Sequence, residues 1–433
     1  MRTLRYNLRM AAWAGLVLFL AQTCAGYSVL THEQIVDLLW QSDLQPMLKH
    51  RFPGATDDNL REAHAYAYGG SLIQDMGYYP FGSHYFSDLT HYVRSGDFVV
   101  SLLHNATTLN EYAFALGALA HYSSDITGHP VVNHVVALEF PALQKKFGEQ
   151  VTYSDSPKSH IRAEFGFDMT QVAKNRYTSD RYHDFIGFEV SQALLDQSFV
   201  ETYGIKLSEV IPNEDLAIGS FRHAVSKIIP EMTRVALLAQ RKEAVRDTPN
   251  ASEKQFRYYL SRTNYEHEWG TVYRKPGFGT RVLAVFLKLI PKKGPFSGLS
   301  FKIPTTQAED LYIKSIDRTV EEYTKLLHDY TKGNLQLSNK DCDTGKDASA
   351  GEYALSDKTY ARLLDQLEQA PTSNVPETVQ SNILSFYSGG DANAAAKHTG
   401  KEWKKAQDEL HRLQAQPKLD APPATDSPKT PSL

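Results

Sequence analysis

Cysteine is almost absent from this chain of 433 residues, which has only Cys24 and Cys342. Cys24 lies in an N-terminal apolar stretch, so removal of that stretch would leave no pair able to form an intramolecular disulfide. The fold must then rest on its core, with any bound metal adding its binding energy to folding. Charge of one sign is lacking too. The formal net charge of −4 gives no sign of a nucleic-acid surface, and no basic, aromatic-interleaved stripe stands out. Beyond the first 26 residues no run is long and apolar enough to span a bilayer. Nor is there sustained alternation of period two, so the N-terminal part reads as all-α. No repeat of 20–50 residues is visible, which argues against a solenoid.

What is present begins with a sorting signal. Arg2, Arg5 and Arg9 precede the apolar run 11–21, and small residues follow at Thr23, Ala25 and Gly26. This is the layout of a cleaved secretory peptide, with an uncleaved membrane anchor as the alternative. The expected location is secreted or periplasmic. Ala21, Gln22 and Thr23 make a poor lipobox before Cys24. The hydrophobic share of 42% and the charged share of 22% suit a soluble globular protein. The expected division is a signal peptide at 1–26, a helical domain at 27–250, a mostly helical C-terminal region at 251–416 and a disordered Pro-rich tail at 417–433.

Helical patterning covers 31–40, where Thr31 and Gln34 form a capping box, and then 58–76. The segment GYYPFGSHYFSD reads as a loop, and helical spacing resumes over 92–104, 131–147, 159–173, 215–241 and 310–330. His223 and His328 stand alone on such segments and read as ordinary helix residues. The run RVLAVFLKLI at 281–290 has the length of a buried helix; its basic flank, Lys292 and Lys293, also suits peripheral membrane contact. The loop with Asp341, Asp343, Asp347 and Glu352 is faintly similar to a calcium loop. Its glycine falls one position early and no helix pair frames it.

The stretch LNEYAFALGALAHYSSDITGHP, residues 109–130, carries chemistry. His121, Asp125 and His129 recur every four residues, drifting only about 40° per step, so all three share one helical stripe. Gly117 lies on the same stripe and admits a close neighbour. Thr108 and Glu111 form a capping box at the start, and Pro130 is expected to end the helix, leaving His129 free to swing toward a second metal. Two core histidines around a capping aspartate would look alike. A second His/carboxylate pair, His160 and Glu164, together with His32, Asp75, His84 and His91, favours a cluster. Imidazole with carboxylate suits hydrolytic zinc, although manganese or iron could take such a position. Tyr92, Tyr122 and Asp184 are candidate partners that would fix imidazole tautomers.

Over residues 27–167, about a third of the chain, this order of ligands resembles the zinc-dependent phospholipase C and single-strand nuclease superfamily. Within it, the likeness is to the phospholipase C/D-like branch that includes glycosylphosphatidylinositol-specific phospholipase D. The resemblance implies a phospholipase C/P1 nuclease-like helical domain holding three zinc ions. Tyr27, if cleavage follows Gly26, would ligate through its new N-terminus, together with His32; cleavage after Ala25 would displace it. Asp75, either His84 or His91, His121 and Asp125 would hold another zinc, with Asp125 bridging to the first. His129, His160 and Glu164 would hold the third. Asp75 would also steer or deprotonate the attacking water.

The classical phospholipases C and nucleases put two more residues between the helix aspartate and its last histidine, whereas the phospholipase D-like branch has the shorter interval seen here, so the substrate is less determined than the metal. The expected function is phosphodiester hydrolysis, most naturally of a phospholipid. The alternatives are a nuclease on the same scaffold and a non-catalytic envelope protein stapled by zinc.

Overall fold

The structure is a computed structural model that describes residues 28–174, 177, 187–229, 302–369 and 375–415. Tyr27, the apolar N-terminal run, Asp184, the 281–290 run and the Pro-rich tail lie outside the described residues. Among the described residues no strand forms, and the only β pairing is an isolated bridge between Lys340 and Asp347. The expected all-α class is what is observed.

We number the helices of eight residues or more. In the N-terminal part these are α1 (Val29–Leu39), α2 (Asp57–Gly70), α3 (His84–Tyr92), α4 (Ser95–Asn105), α5 (Leu109–Glu139), α6 (Pro157–Ala173), α7 (Gln192–Tyr203) and α8 (Glu214–His223). Then follow α9 (Thr306–Thr331), α10 (Ala354–Gln369), α11 (Glu377–Ser388), α12 (Ala392–Thr399) and α13 (Trp403–Ala415). A 3₁₀ turn, Ile73–Tyr78, splits the expected 58–76 helix. The expected loop GYYPFGSHYFSD is only partly one, since α3 begins at His84 inside it. His223 and His328 are exposed helix residues, as expected.

The centre of the molecule is α5. Its start follows the sequence: Thr108 Oγ1 accepts the Glu111 N–H at 3.3 Å, and the Glu111 carboxylate accepts the Thr108 N–H at 2.9 Å. Its end does not, because the helix runs through Pro130 to Glu139. Proline removes its own N–H and releases the carbonyl four residues earlier, at a cost of about 3 kcal/mol. Here the residues beyond it, Val132, Val135, Val136 and Ala137, are all buried, and that burial outweighs the cost. The released Ile126 carbonyl is covered by Gly345, at φ 70°, where an added Cβ would lie 2.5 Å from the oxygen.

Helix α2 comes close to the backbone of α5. A Cβ on Gly117 would sit 2.1 Å from Ala67 O, and one on Gly70 would sit 1.9 Å from Phe114 O. From the C-terminal part, α9 packs on α5, with the Tyr323 hydroxyl donating to Leu116 O at 2.8 Å. The N-terminus of α1 lacks a capping side chain of its own, and the expected Thr31 box does not form because Thr31 already lies inside the helix. Instead Asp168 of α6 accepts the Leu30 N–H at 3.0 Å and the Thr31 hydroxyl at 2.8 Å. One hydrophobic core runs from Val29 to Leu413, across the expected division at residue 250, which itself lies outside the described residues.

Candidate metal centre

Four structural segments meet the α5 stripe at one buried point. His32 comes from α1, Asp75 from the 3₁₀ turn, His91 from α3, and His160 with Glu164 from α6. With His121, Asp125 and His129 these make eight polar side chains, none more than 1% exposed. His84 is not among them. It is exposed at the start of α3, its ring centre 5.3 Å from that of Tyr78, so of the two histidines left open by the sequence the fold brings His91 to the cluster.

Hydrogen bonds on the outer side of the rings fix which nitrogen faces inward. His121 Nδ1–H donates to Ser71 O at 2.8 Å, and His91 Nδ1–H donates to Ser87 O at 2.7 Å. His129 Nδ1 lies 2.7 Å from Asp343 Oδ1, and His160 Nε2–H donates to Val151 O at 2.5 Å. A carbonyl only accepts, so the neutral rings of His121 and His91 each present an Nε2 lone pair inward, and neutral His160 presents Nδ1. Burial works to lower the His91 pKa, but Asp125 and Asp75 hold it well above the usual range, so a cation would have to displace its Nε2 proton.

The inward atoms crowd one another. Asp125 Oδ2 is 3.1 Å from His121 Nε2 and 3.3 Å from His91 Nε2. Its Oδ1 is 3.5 Å from His129 Nε2 and 3.6 Å from His32 Nε2. Asp75 Oδ1 is 3.4 Å from His91 Nε2, and the Nε2 atoms of His91 and His121 are 3.2 Å apart. Two lone pairs facing at that distance repel unless a cation or a proton lies between them. Both Asp125 oxygens, Asp75 Oδ1, His129 Nε2 and Glu164 Oε2 are buried and accept or donate no hydrogen bond, a costly state that a cation would relieve. Two donor sets, His32/His121/Asp125 and Asp75/His91/His121, each bring their ligand atoms within 4.8 Å of one another. The residues therefore fit a metal of imidazole and carboxylate preference. His160 Nδ1 lies 3.3 Å from Glu164 Oε1 at the edge of this cluster.

Within the cluster the carboxylates and imidazoles perturb each other. Burial works to raise the pKa of Asp125, but His121 and His129 beside it outweigh that and hold it well below the usual range. Burial works to lower His129, yet Asp125 and Asp343 hold it up at about 9. His160, buried with less compensation, falls to about 4. Burial pushes Glu164 well above the ordinary carboxylate range. An ion would have to displace the His129 proton to use its nitrogen.

Of the candidate tautomer-fixing partners, Tyr92 and Tyr122 make no hydrogen bond to an imidazole nitrogen. Tyr122 donates to Ser338 O at 2.8 Å, the Tyr92 hydroxyl is buried without a hydrogen bond, and Asp184 lies outside the described residues. The carboxylate that does reach a histidine is Asp343, which the sequence placed in a faint calcium-like loop. That loop is no calcium cage, because its acids face different partners. Asp341 accepts the Asp343 N–H, Asp347 pairs with Lys340, and Glu352 pairs with Lys346. Pro130 likewise leaves His129 neither terminal nor free to swing, since the helix continues and Asp343 holds the ring. The only advance signal of Asp343 was its place in an acid-rich loop.

A wholly helical region with buried histidines gathered around one aspartate defines a candidate metalloprotein of the hydrolytic type. Residues 31–212 match the family model described as zinc dependent phospholipase C. This agrees with the phospholipase C and single-strand nuclease superfamily that the ligand order resembles; the narrower likeness to glycosylphosphatidylinositol-specific phospholipase D rests on the spacing alone. No curated protein and no solved structure matches the chain.

Proposed function

We propose that the protein is a secreted or periplasmic zinc-dependent phosphodiester hydrolase of the phospholipase C kind, acting on a phospholipid at a trinuclear centre. The observation that carries this reading is Asp125, whose two buried oxygens accept no hydrogen bond while four imidazole nitrogens stand 3.1–3.6 Å away. In the proposed centre Asp75, His91 and His121 would hold one zinc. His32 and the N-terminal residue, Tyr27 when cleavage follows Gly26, would hold a second, with Asp125 serving both. His129, His160 and Glu164 would hold the third. Bound zinc supplies Lewis acidity toward a phosphodiester and lowers the pKa of water.

The chain's own residues do the rest. Asp75, whose Oδ1 is buried and without a hydrogen bond, would orient a water and take its proton. The outer hydrogen bonds of His91 and His121 keep their Nε2 lone pairs inward. Tyr78 and Tyr153, which with Leu355 form a small apolar cluster, have ring centres 6.1 Å from His91 and 6.0 Å from His160. They give the substrate an apolar wall beside the polar centre.

Metal analysis and turnover test this reading together. The mature protein should carry three zinc ions per chain, begin at Tyr27, and hydrolyse phosphatidylcholine vesicles in preference to single-stranded DNA. A metal-free preparation with undiminished hydrolysis would overturn it, and preferred cleavage of DNA would transfer the site to the nuclease alternative.

A further inference from the structure

The family match ends at residue 212, yet the loop 335–353 from the C-terminal part closes over the metal cluster. Within it Asp343 is fully buried, and its Oδ1 lies 2.7 Å from His129 Nδ1. Its Oδ2 accepts the Tyr353 hydroxyl. Both carboxylate oxygens are thus committed, in contrast to those of Asp125, so Asp343 is no spare ligand. The loop is fastened to the elements that carry the cluster. Asn133 of α5 donates to Asp343 O at 2.8 Å, and the Cys342 N–H donates to the carbonyl of His91 at 3.1 Å.

We propose that Asp343, held by Tyr353, is a positioning residue for the metal centre, and that the C-terminal part of the chain completes a site whose ligands all come from the N-terminal part. By accepting the Nδ1–H of His129 it fixes the tautomer that leaves Nε2 as a lone pair facing Asp125. It sets the plane of the ring and increases the imidazole's donor strength toward a cation. The inference rests on the metal-binding reading above, and one titration series separates the failure of either.

The experiment is a competitive zinc titration of the full mature chain as wild type, Asp343→Asn, His129→Ala and the double variant, with circular dichroism on each. Asp343→Asn should weaken the zinc that His129 holds by about 10–100-fold, the range usual for such outer partners, at unchanged helicity. In the His129→Ala background the same substitution should change nothing further, a result that a merely structural role for Asp343 would not give. Tyr353→Phe keeps the carboxylate and removes only its phenolic donor. It should weaken the same zinc by a few-fold, and it decides the matter if Asp343→Asn does not fold.

In the zinc-loaded wild type, an exchange-protected His129 Nδ1–H proton should appear by NMR and be lost in Asp343→Asn. Wild-type zinc affinity in both single variants at position 343 and 353, or equal weakening with and without His129, overturns the proposal while leaving the metal centre intact. A wild type that binds no zinc overturns the metal centre itself, and the positioning role with it.

Discussion

Two buried aspartates on neighbouring helices are each ringed by histidine and aromatic side chains, and they are chemically opposite. Asp37 of α1 accepts His64 Nε2–H at 2.9 Å and the Tyr68 hydroxyl at 2.5 Å on one oxygen, and the Tyr177 hydroxyl at 3.0 Å on the other. His64 stacks on Trp40 with centroids 3.7 Å apart, and burial lowers its pKa, so it serves as a neutral donor. Asp125 of α5 has more imidazoles around it and no hydrogen bond on either oxygen. What differs is where the ring protons go. Around Asp37 they point at the carboxylate. Around Asp125, neutral His91 and His121 spend them on backbone carbonyls and turn lone pairs inward. A buried Asp–His group is a structural staple in the first arrangement and a cation site in the second.

The largest test of that contrast is Asp125→Asn. The amide removes the charge and half of the acceptor capacity at the carboxylate that faces four imidazole nitrogens within 3.6 Å, so zinc content should fall below that of the wild type. Phosphodiester hydrolysis should drop by more than the roughly 100-fold expected of an outer partner. Metal analysis and an initial-rate assay check this, and zinc content equal to the wild type's would sink the bridging role. Asp37→Asn should do the reverse: full zinc content, but an unfolding free energy lower by about 2 kcal/mol, since three donors lose a charged acceptor. Urea unfolding beside metal analysis reads both. Loss of zinc in Asp37→Asn on the scale of Asp125→Asn would erase the distinction between the two centres.

Much of the cluster was legible in the chain because helical spacing is a local property. Four-residue intervals place His121, Asp125 and His129 on one stripe whatever surrounds them, and His160 and Glu164 obey the same rule. The choice between His84 and His91 was not legible. It depends on where α3 begins and which face it buries, and Ser83, its N-cap, makes no capping hydrogen bond that the sequence could announce. Pro130 misled for a related reason, because its local penalty was visible while the burial of Val132, Val135 and Val136 was not. Asp343 was least legible of all. Its hydrogen bond to His129 joins residues 214 positions apart, and no periodicity reaches so far. By composition Asp37, His64 and Tyr68 could have been a metal site as well; only the direction of their hydrogen bonds separates them.

The smallest expected effect is at Gly117, where α2 and α5 touch and the two centres are mechanically joined. Helix α2 carries His64 and Tyr68 toward Asp37, and just beyond its end the Ser71 carbonyl accepts the His121 ring proton at 2.8 Å. A methyl at position 117 would lie 2.1 Å from Ala67 O and 2.8 Å from Ser71 N, both backbone atoms that cannot turn aside. Forcing the helices apart costs about 1–3 kcal/mol, offset by the roughly 1 kcal/mol that alanine gains over glycine in a helix. Gly117→Ala should therefore lower stability by about 1 kcal/mol net. Because Ser71 moves with α2, the same variant should also weaken zinc at the His121 site, though by less than Asp125→Asn does. A variant as stable as the wild type with unaltered zinc affinity would mean that the helices yield without disturbing either centre, and that the contact at Gly117 does not couple them.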